Sequence, residues 1–259
     1  MGKLRAVYRA IGLALLTWWC LTPVLWHWLW GRYDVWHALE VRRRWAGKAL
    51  RFIGVRVHAT GKPPVKGPIL YIGNHRSYID PIVALTEIPA WPVAKAEVAS
   101  WPVFGFAAKM TGILYVKRED RNSRAATLQA IDRLFEQGHS VLIYPEGTTH
   151  TEPLTRPFRP GTFKLAAARG IPVVPIAIHY PDLEDAWVGS QRFLPHFLRT
   201  FGKKHIDVYI AFGQAIYHDD HQELMKESKQ WIDEWLSRWH GAMESQPKAV
   251  TSQAASQNS

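Results

Sequence analysis

The 259-residue chain is poor in the residues that staple or ligate. Its one cysteine, Cys20, excludes an intramolecular disulfide and any zinc site built from several thiolates, and it suits a reducing compartment. No G-x-S-x-G elbow is present, which disfavours a serine hydrolase of the usual α/β type. Equally absent are G-x-x-x-x-G-K-[ST], G-x-G-x-x-G and H-E-x-x-H, the commonest nucleotide and zinc signatures. Twelve histidines are scattered without a ligand spacing, so no metal site is expected. Acidic residues are scarce too. Against 22 Asp and Glu stand 32 Lys and Arg, a net charge of +10, which points to an anionic partner. The basic residues are not interleaved with a recognised nucleic-acid module, and no nucleic acid is expected.

What is present is globular in character: 47% hydrophobic and 21% charged, long enough for one fair-sized domain. Residues 1–50 hold eight basic side chains (Lys3, Arg5, Arg9, Arg32, Arg42, Arg43, Arg44, Lys48) and two acidic ones (Asp34, Glu40), +6 of the +10. They flank the most apolar stretch, Ile11 to Trp30, whose twenty residues as a helix would span about 30 Å, a bilayer core. Basic charge beside an apolar run reads as membrane surface, with the positive charge of residues 42–48 set against anionic lipid. Pro23, His27 and five tryptophans (Trp18, Trp19, Trp26, Trp28, Trp30) argue against a plain straight span. A spanning helix and a kinked or hairpin helix in one leaflet both remain open, with a buried core helix as the bland alternative. No small-residue cleavage site follows, so a signal peptide is not expected. The expected organisation is a membrane-anchoring helical segment (1–50), one domain (51–244) and a disordered tail (245–259).

The domain alternates short apolar runs with helical patterns. Strands are expected at 54–58, 69–72, 113–117, 141–144, 173–179 and 206–212, all rich in Val, Ile and Tyr. Helices are expected at 81–87, capped by Asp80, at 123–137 and at 163–169, the last two stopped by Gly138 and Gly170. Trp231, Trp235 and Trp239 form a stripe near the end that reads as core packing or, failing that, a second membrane contact. The expected fold class is α/β, a mostly parallel or mixed sheet flanked by helices.

Two strand ends carry the candidate chemistry, since open α/β sheets place their sites there. The first continues into Gly73-Asn74-His75-Arg76-Ser77-Tyr78-Ile79-Asp80. Five positions would set His75 and Asp80 about 140° apart on one helix, so only a turn can bring them together. Paired, they make a general base: the carboxylate fixes the imidazole tautomer and raises the basicity of the other nitrogen. The plain alternative is that Asp80 merely caps a helix. The second strand end continues into Pro145-Glu146-Gly147-Thr148-Thr149-His150, a possible phosphate or oxyanion cradle. A third strand ends in Lys117-Arg118, with Arg121 and Arg124 soon after, and Arg156, Arg159 and Lys164 follow the second loop.

Asn74-His75-Arg76-Ser77-x-x-Asp80 resembles the NHxSxxD block of the 1-acylglycerol-3-phosphate O-acyltransferase (PlsC-type) family. Three more blocks occur in family order. Lys95-Ala96-Glu97 with Pro102, Gly105 and residues 112–118 resembles the second, Tyr144-Pro145-Glu146-Gly147-Thr148 the FPEGT block, and Ile171 to Ile176 the fourth. The match covers roughly residues 50–215. The resemblance implies a glycerolipid acyltransferase-like fold and a membrane-bound enzyme with His75 and Asp80 catalytic. It also implies Asn74, Ser77, Lys117, Arg118, Glu146, Gly147 and Thr148 on the substrate side. His75 would deprotonate the sn-2 hydroxyl of 1-acylglycerol 3-phosphate, which attacks the thioester of acyl-CoA or acyl-carrier protein and gives phosphatidate. No cofactor is implied; the partners are the lysolipid, the acyl donor and the bilayer, with no oligomeric state indicated. The expected place is a bacterial inner membrane, active site on the cytoplasmic side. One departure matters: the family commonly has Arg after FPEGT, and here Thr149 stands there. A different lysolipid, a lysophospholipid or lyso-ornithine lipid, is therefore an alternative acceptor, unless Arg156, Arg159 or Lys164 compensates. A non-catalytic lipid-binding protein is the alternative of another class, and the presence of both His75 and Asp80 speaks against it.

Overall fold

A computed structural model describes residues 1–100, 104–116, 121–189 and 191–244. Pro102, Lys117, Arg118 and the tail at 245–259 lie outside the described residues. Runs of branched residues become strands: β1 (Val55–Thr60), β2 (Leu70–Gly73), β3 (Ala90–Lys95), β4 (Leu114–Val116), β5 (Ser140–Ile143), β6 (Val173–His179) and β7 (Ile206–Phe212). They form one sheet in the order β1-β7-β6-β2-β5-β3-β4. Among these strands of the described residues, only the β6–β7 pair is antiparallel. The strand expectations at 173–179 and 206–212 agree residue for residue; the others shift by one or two residues, as strand ends do.

β3, over 90–95, is not among the expected strands, and its Pro92 lacks a ladder donor. Over Ala90–Pro92, β3 pairs with β5; over Val93–Lys95 it pairs with β4. Pro92 therefore sits at the handover, where the strand has one neighbour and the missing N–H costs little.

Strand side chains alternate between two helical layers. Leu70 and Ile72 join the cluster formed with α5 (Arg121–Glu136), α6 (Gly161–Arg169) and α8 (His221–Glu244). Tyr71 joins the other, formed with α1 (Gly2–Leu29), α2 (Val35–Ile53), α3 (Asp80–Ala84) and α7 (Phe193–Thr200). A short α4 (Phe104–Met110) lies beyond α1. Trp231, Trp235 and Trp239 pack against the first of these layers, the core-packing alternative.

The amino-terminal helices are part of the body. Pro23 lies inside α1 without ending it, and α1 is the one helix among the described residues long and apolar enough to cross a membrane. Yet one of its faces is occupied: Ala6 and Leu13 belong to the same cluster as Ala49, Leu50 and the sheet. Arg9 donates to the carbonyls of Phe201, Lys203 and Lys204 at 2.8–3.0 Å, and Trp45 Nε1 donates to Thr17 Oγ1 at 3.0 Å. The boundary expected at residue 50 falls inside α2. The charge at 42–48 is also differently deployed than expected. Arg42 is buried and donates to the carbonyls of Thr111 and Gly112, tying α2 to the far strands. Burial pulls its pKa down to about 9, so it stays cationic at neutral pH. Arg43 and Arg44 both pair with Glu40 at 2.8 Å.

Candidate active site

Because β2, β5 and β6 are parallel and adjacent, their carboxyl ends open on one edge of the sheet. Asn74, at the end of β2, is buried and exchanges two hydrogen bonds with Ile178 of β6: its Nδ2 donates to the carbonyl at 2.8 Å and its Oδ1 accepts from the N–H at 2.7 Å. That clamp starts the turn that folds His75 back onto Asp80. Asp80 is the first residue of α3 rather than its cap, and its carboxylate points back along the chain. Its Oδ2 accepts from the N–H groups of Arg76 (2.6 Å) and Ser77 (2.8 Å) and from His75 Nδ1 (2.7 Å). Asp80 thus closes the loop and orients the base at once. The expected helix to residue 87 ends at Ala84.

The tautomer follows from the partners. An ionised carboxylate only accepts, so His75 Nδ1 carries the proton and Nε2 presents a lone pair. Nε2 has no partner among the described residues, and the His75 side chain is 14% exposed against 0% for Asp80. Two tyrosines complete the arrangement, Tyr180, which the sequence did not single out, and Tyr144, the first residue of the FPEGT-like block. Tyr180 donates its hydroxyl to Asp80 Oδ1 at 2.6 Å, and burial first, then the Asp80 charge, pushes its pKa well up, keeping it a donor. Tyr144 stacks on the His75 ring, centroids 4.3 Å apart and planes at 14°. Tyr180 had one legible signal: it directly follows β6, a strand end on the same edge.

The second loop is placed differently from the role the resemblance implies for it. Glu146 has no exposed side-chain surface and faces inward. Its Oε1 accepts from the His75 backbone N–H at 2.9 Å; its Oε2 accepts from His150 Nε2 and from the Arg156 N–H at 2.9 Å. Such a carboxylate meets the backbone of the base. Ser77 is buried, Gly147 is half-buried at φ +74°, and Thr148 is exposed. The Arg159 guanidinium lies over Gly147, so close that a Cβ there would meet its Cζ at 2.6 Å. Only glycine allows that approach. Of the three cations that could compensate for Thr149, Arg156 pairs with Glu152 at 2.6 Å, Lys164 lies on α6, and the Arg159 guanidinium stands over Gly147 of the loop. Among the described residues no group of His, Cys, Asp and Glu could hold a metal ion.

Fold and site together define an α/β protein with an oriented histidine–aspartate base at a strand end. Residues 54–179 match the Acyltransferase family model, and the chain carries a domain of that family. The lyso-ornithine lipid O-acyltransferase of Rhizobium meliloti is 29% identical over 206 residues, 72% of this chain and 70% of that protein. The enzyme of the same name from Pseudomonas aeruginosa is 28% identical over 200 residues, 74% of this chain and 77% of that protein. A chloroplastic 1-acyl-sn-glycerol-3-phosphate acyltransferase of Brassica napus is 30% identical over 176 residues, 68% of this chain and 48% of that protein. The crystal structure of the 1-acyl-sn-glycerophosphate (LPA) acyltransferase PlsC from Thermotoga maritima shares the fold, with a TM-score of 0.63, 17% identity and 93% and 98% of the two chains covered.

Proposed function

We propose that the protein transfers a fatty acyl group from acyl-CoA or acyl-carrier protein to the free hydroxyl of a lysolipid. The observation that carries this is His75: Nδ1 tied to a buried carboxylate, Nε2 open. His75 Nε2 takes the hydroxyl proton as the oxygen attacks the thioester carbonyl; the C–O bond forms, the C–S bond breaks, and the thiolate leaves with that proton. Asp80 stabilises the imidazolium in between. For the acceptor we favour a lysolipid with a single anionic group, such as lyso-ornithine lipid. Among the described residues one guanidinium, Arg159, stands over Gly147, and Thr149 supplies no second; a lone carboxylate needs fewer cations than a phosphate dianion. Two relatives covered over more than two thirds of their length support the same choice by name. The second reading is 1-acylglycerol 3-phosphate, favoured by the four ordered blocks.

The test is acyl transfer by purified protein from labelled acyl-CoA, and then acyl-carrier protein, to a panel of lysolipids, with His75→Ala alongside. Product is expected from lyso-ornithine lipid, and general-base removal should cost about 10²–10⁴-fold. Product from 1-acylglycerol 3-phosphate alone would move the acceptor. No product with either donor would sink the enzymatic reading.

The outer face of α1 exposes Leu4, Val7, Tyr8, Ile11, Leu15, Trp18, Trp19 and Trp26, while its inner face is docked on the body. A helix so docked lies along the membrane, its outer face in one leaflet, with the site on the cytoplasmic side where both acyl donors are found. Trp18→Ser/Trp19→Ser/Trp26→Ser should lose most of its flotation with phosphatidylglycerol-containing vesicles. Undiminished flotation would assign the contact to another surface.

A further inference from the structure

A second buried histidine lies behind the base. His150 Nε2 donates to Glu146 Oε2, while its Nδ1 accepts from Arg76 Nη1 at 2.7 Å and from the Glu152 N–H at 3.2 Å. Arginine only donates and a carboxylate only accepts, so the neutral imidazole is the one form that satisfies both. Arg76 is further tied to the His150 carbonyl at 2.9 Å, and the His150 N–H donates to the His75 carbonyl. The His150 side chain is 2% exposed. Glu146 then passes the constraint on through Oε1 to the His75 N–H at 2.9 Å. Arg76, at the start of this chain, is also the residue whose N–H bonds Asp80. The two loops are therefore locked to one another through a cation, an imidazole and a carboxylate.

We infer that His150 is a positioning residue for His75: by bridging Arg76 to Glu146 it fixes the backbone from which the base projects. This rests on His75 acting as the base in acyl transfer. It gives Glu146 a role that does not involve the acceptor. A fully buried bridge cannot touch substrate, so its loss should fall on turnover and leave binding alone. A displacement of about 1 Å at the reacting nitrogen is worth about a hundredfold.

The experiment compares His150→Leu with His150→Gln, since an amide offers one acceptor and one donor at about the spacing of the two ring nitrogens. In His150→Leu, kcat should fall about ten- to hundredfold, with KM for acceptor and acyl donor within about twofold. His150→Gln should recover most of that loss. Independently of turnover, amide exchange of the His75 segment should speed up in His150→Leu and return towards the wild-type rate in His150→Gln. Should His150→Leu not fold, His150→Asn replaces it, being one methylene too short to bridge both partners. Unchanged exchange at His75, a Gln variant as impaired as the Leu variant, or a rise in acceptor KM with kcat kept would each overturn the inference. If wild-type protein transfers no acyl group at all, the enzymatic reading fails while the exchange comparison still decides whether His150 positions the loop.

Discussion

Among the described residues, two largely buried histidine–carboxylate pairs follow neighbouring parallel strands. After β2, His75 meets Asp80 at 2.7 Å; after β5, His150 meets Glu146. Both carboxylates are fully enclosed. The difference lies in the second nitrogen. His75 Nε2 is open, whereas His150 Nδ1 is covered by Arg76 and the Glu152 N–H. A histidine–carboxylate pair is therefore not in itself a base. It becomes one when the carboxylate holds one nitrogen and the site leaves the other for a proton. With both nitrogens held, the same pair is a strut.

Substituting the two carboxylates should break the comparison most sharply. In Asp80→Asn the remaining oxygen can still accept from His75 Nδ1 and the N–H groups of Arg76 and Ser77, while the Tyr180 hydroxyl turns to accept from the new amide. Geometry survives and the negative charge that stabilises the imidazolium is gone. Turnover should fall about 10²–10⁴-fold with little change in Tm. Glu146→Gln should do the reverse. Three N–H groups converge on that carboxylate, and an amide must turn its own donors towards some of them. Leaving a buried polar group unsatisfied there costs about 1–3 kcal/mol, or about 2–12 °C in Tm at this size. The turnover loss of the folded fraction should stay below that of Asp80→Asn. Thermal melts with steady-state kinetics check both. An Asp80→Asn that melts early while its folded fraction turns over normally would make Asp80 only a loop-closing residue.

The same contrast explains what could be read from the sequence. The long branched runs at Val173–His179 and Ile206–Phe212 announce themselves as strands, since burial on both faces demands such residues. β3 did not, because its Pro92 is harmless only where the strand changes partner, and partners are a property of the sheet. The docking of α2 is hidden in the same way: Arg42 looks like part of a solvated basic patch until the carbonyls of Thr111 and Gly112 are in place. In the site, His75 and Asp80 were legible through the block they share with a known family, since five positions on a helix would have kept them apart. Tyr180 and His150 act across 100 and 74 positions of chain, on Asp80 and Arg76 respectively, and no local pattern reports such contacts.

The smallest effect should come from Tyr144, where the family block has Phe. Its ring stacks on His75, but its hydroxyl is buried with no hydrogen-bond partner, and burial raises its pKa far above the usual phenol value. An unsatisfied buried hydroxyl costs about 1–3 kcal/mol, so Tyr144→Phe should keep the stacking and stabilise the protein by about 1 kcal/mol, a rise of about 2–4 °C in Tm. Tyr144→Leu keeps the apolar bulk and loses the flat face, so it should lower kcat more than Tyr144→Phe does. Differential scanning fluorimetry on the pair, with kcat alongside, separates the two contributions. A fall in Tm for Tyr144→Phe would show that the hydroxyl has a partner, with Asp80 the nearest charge, and would extend the set of groups that orient the base from one tyrosine to two.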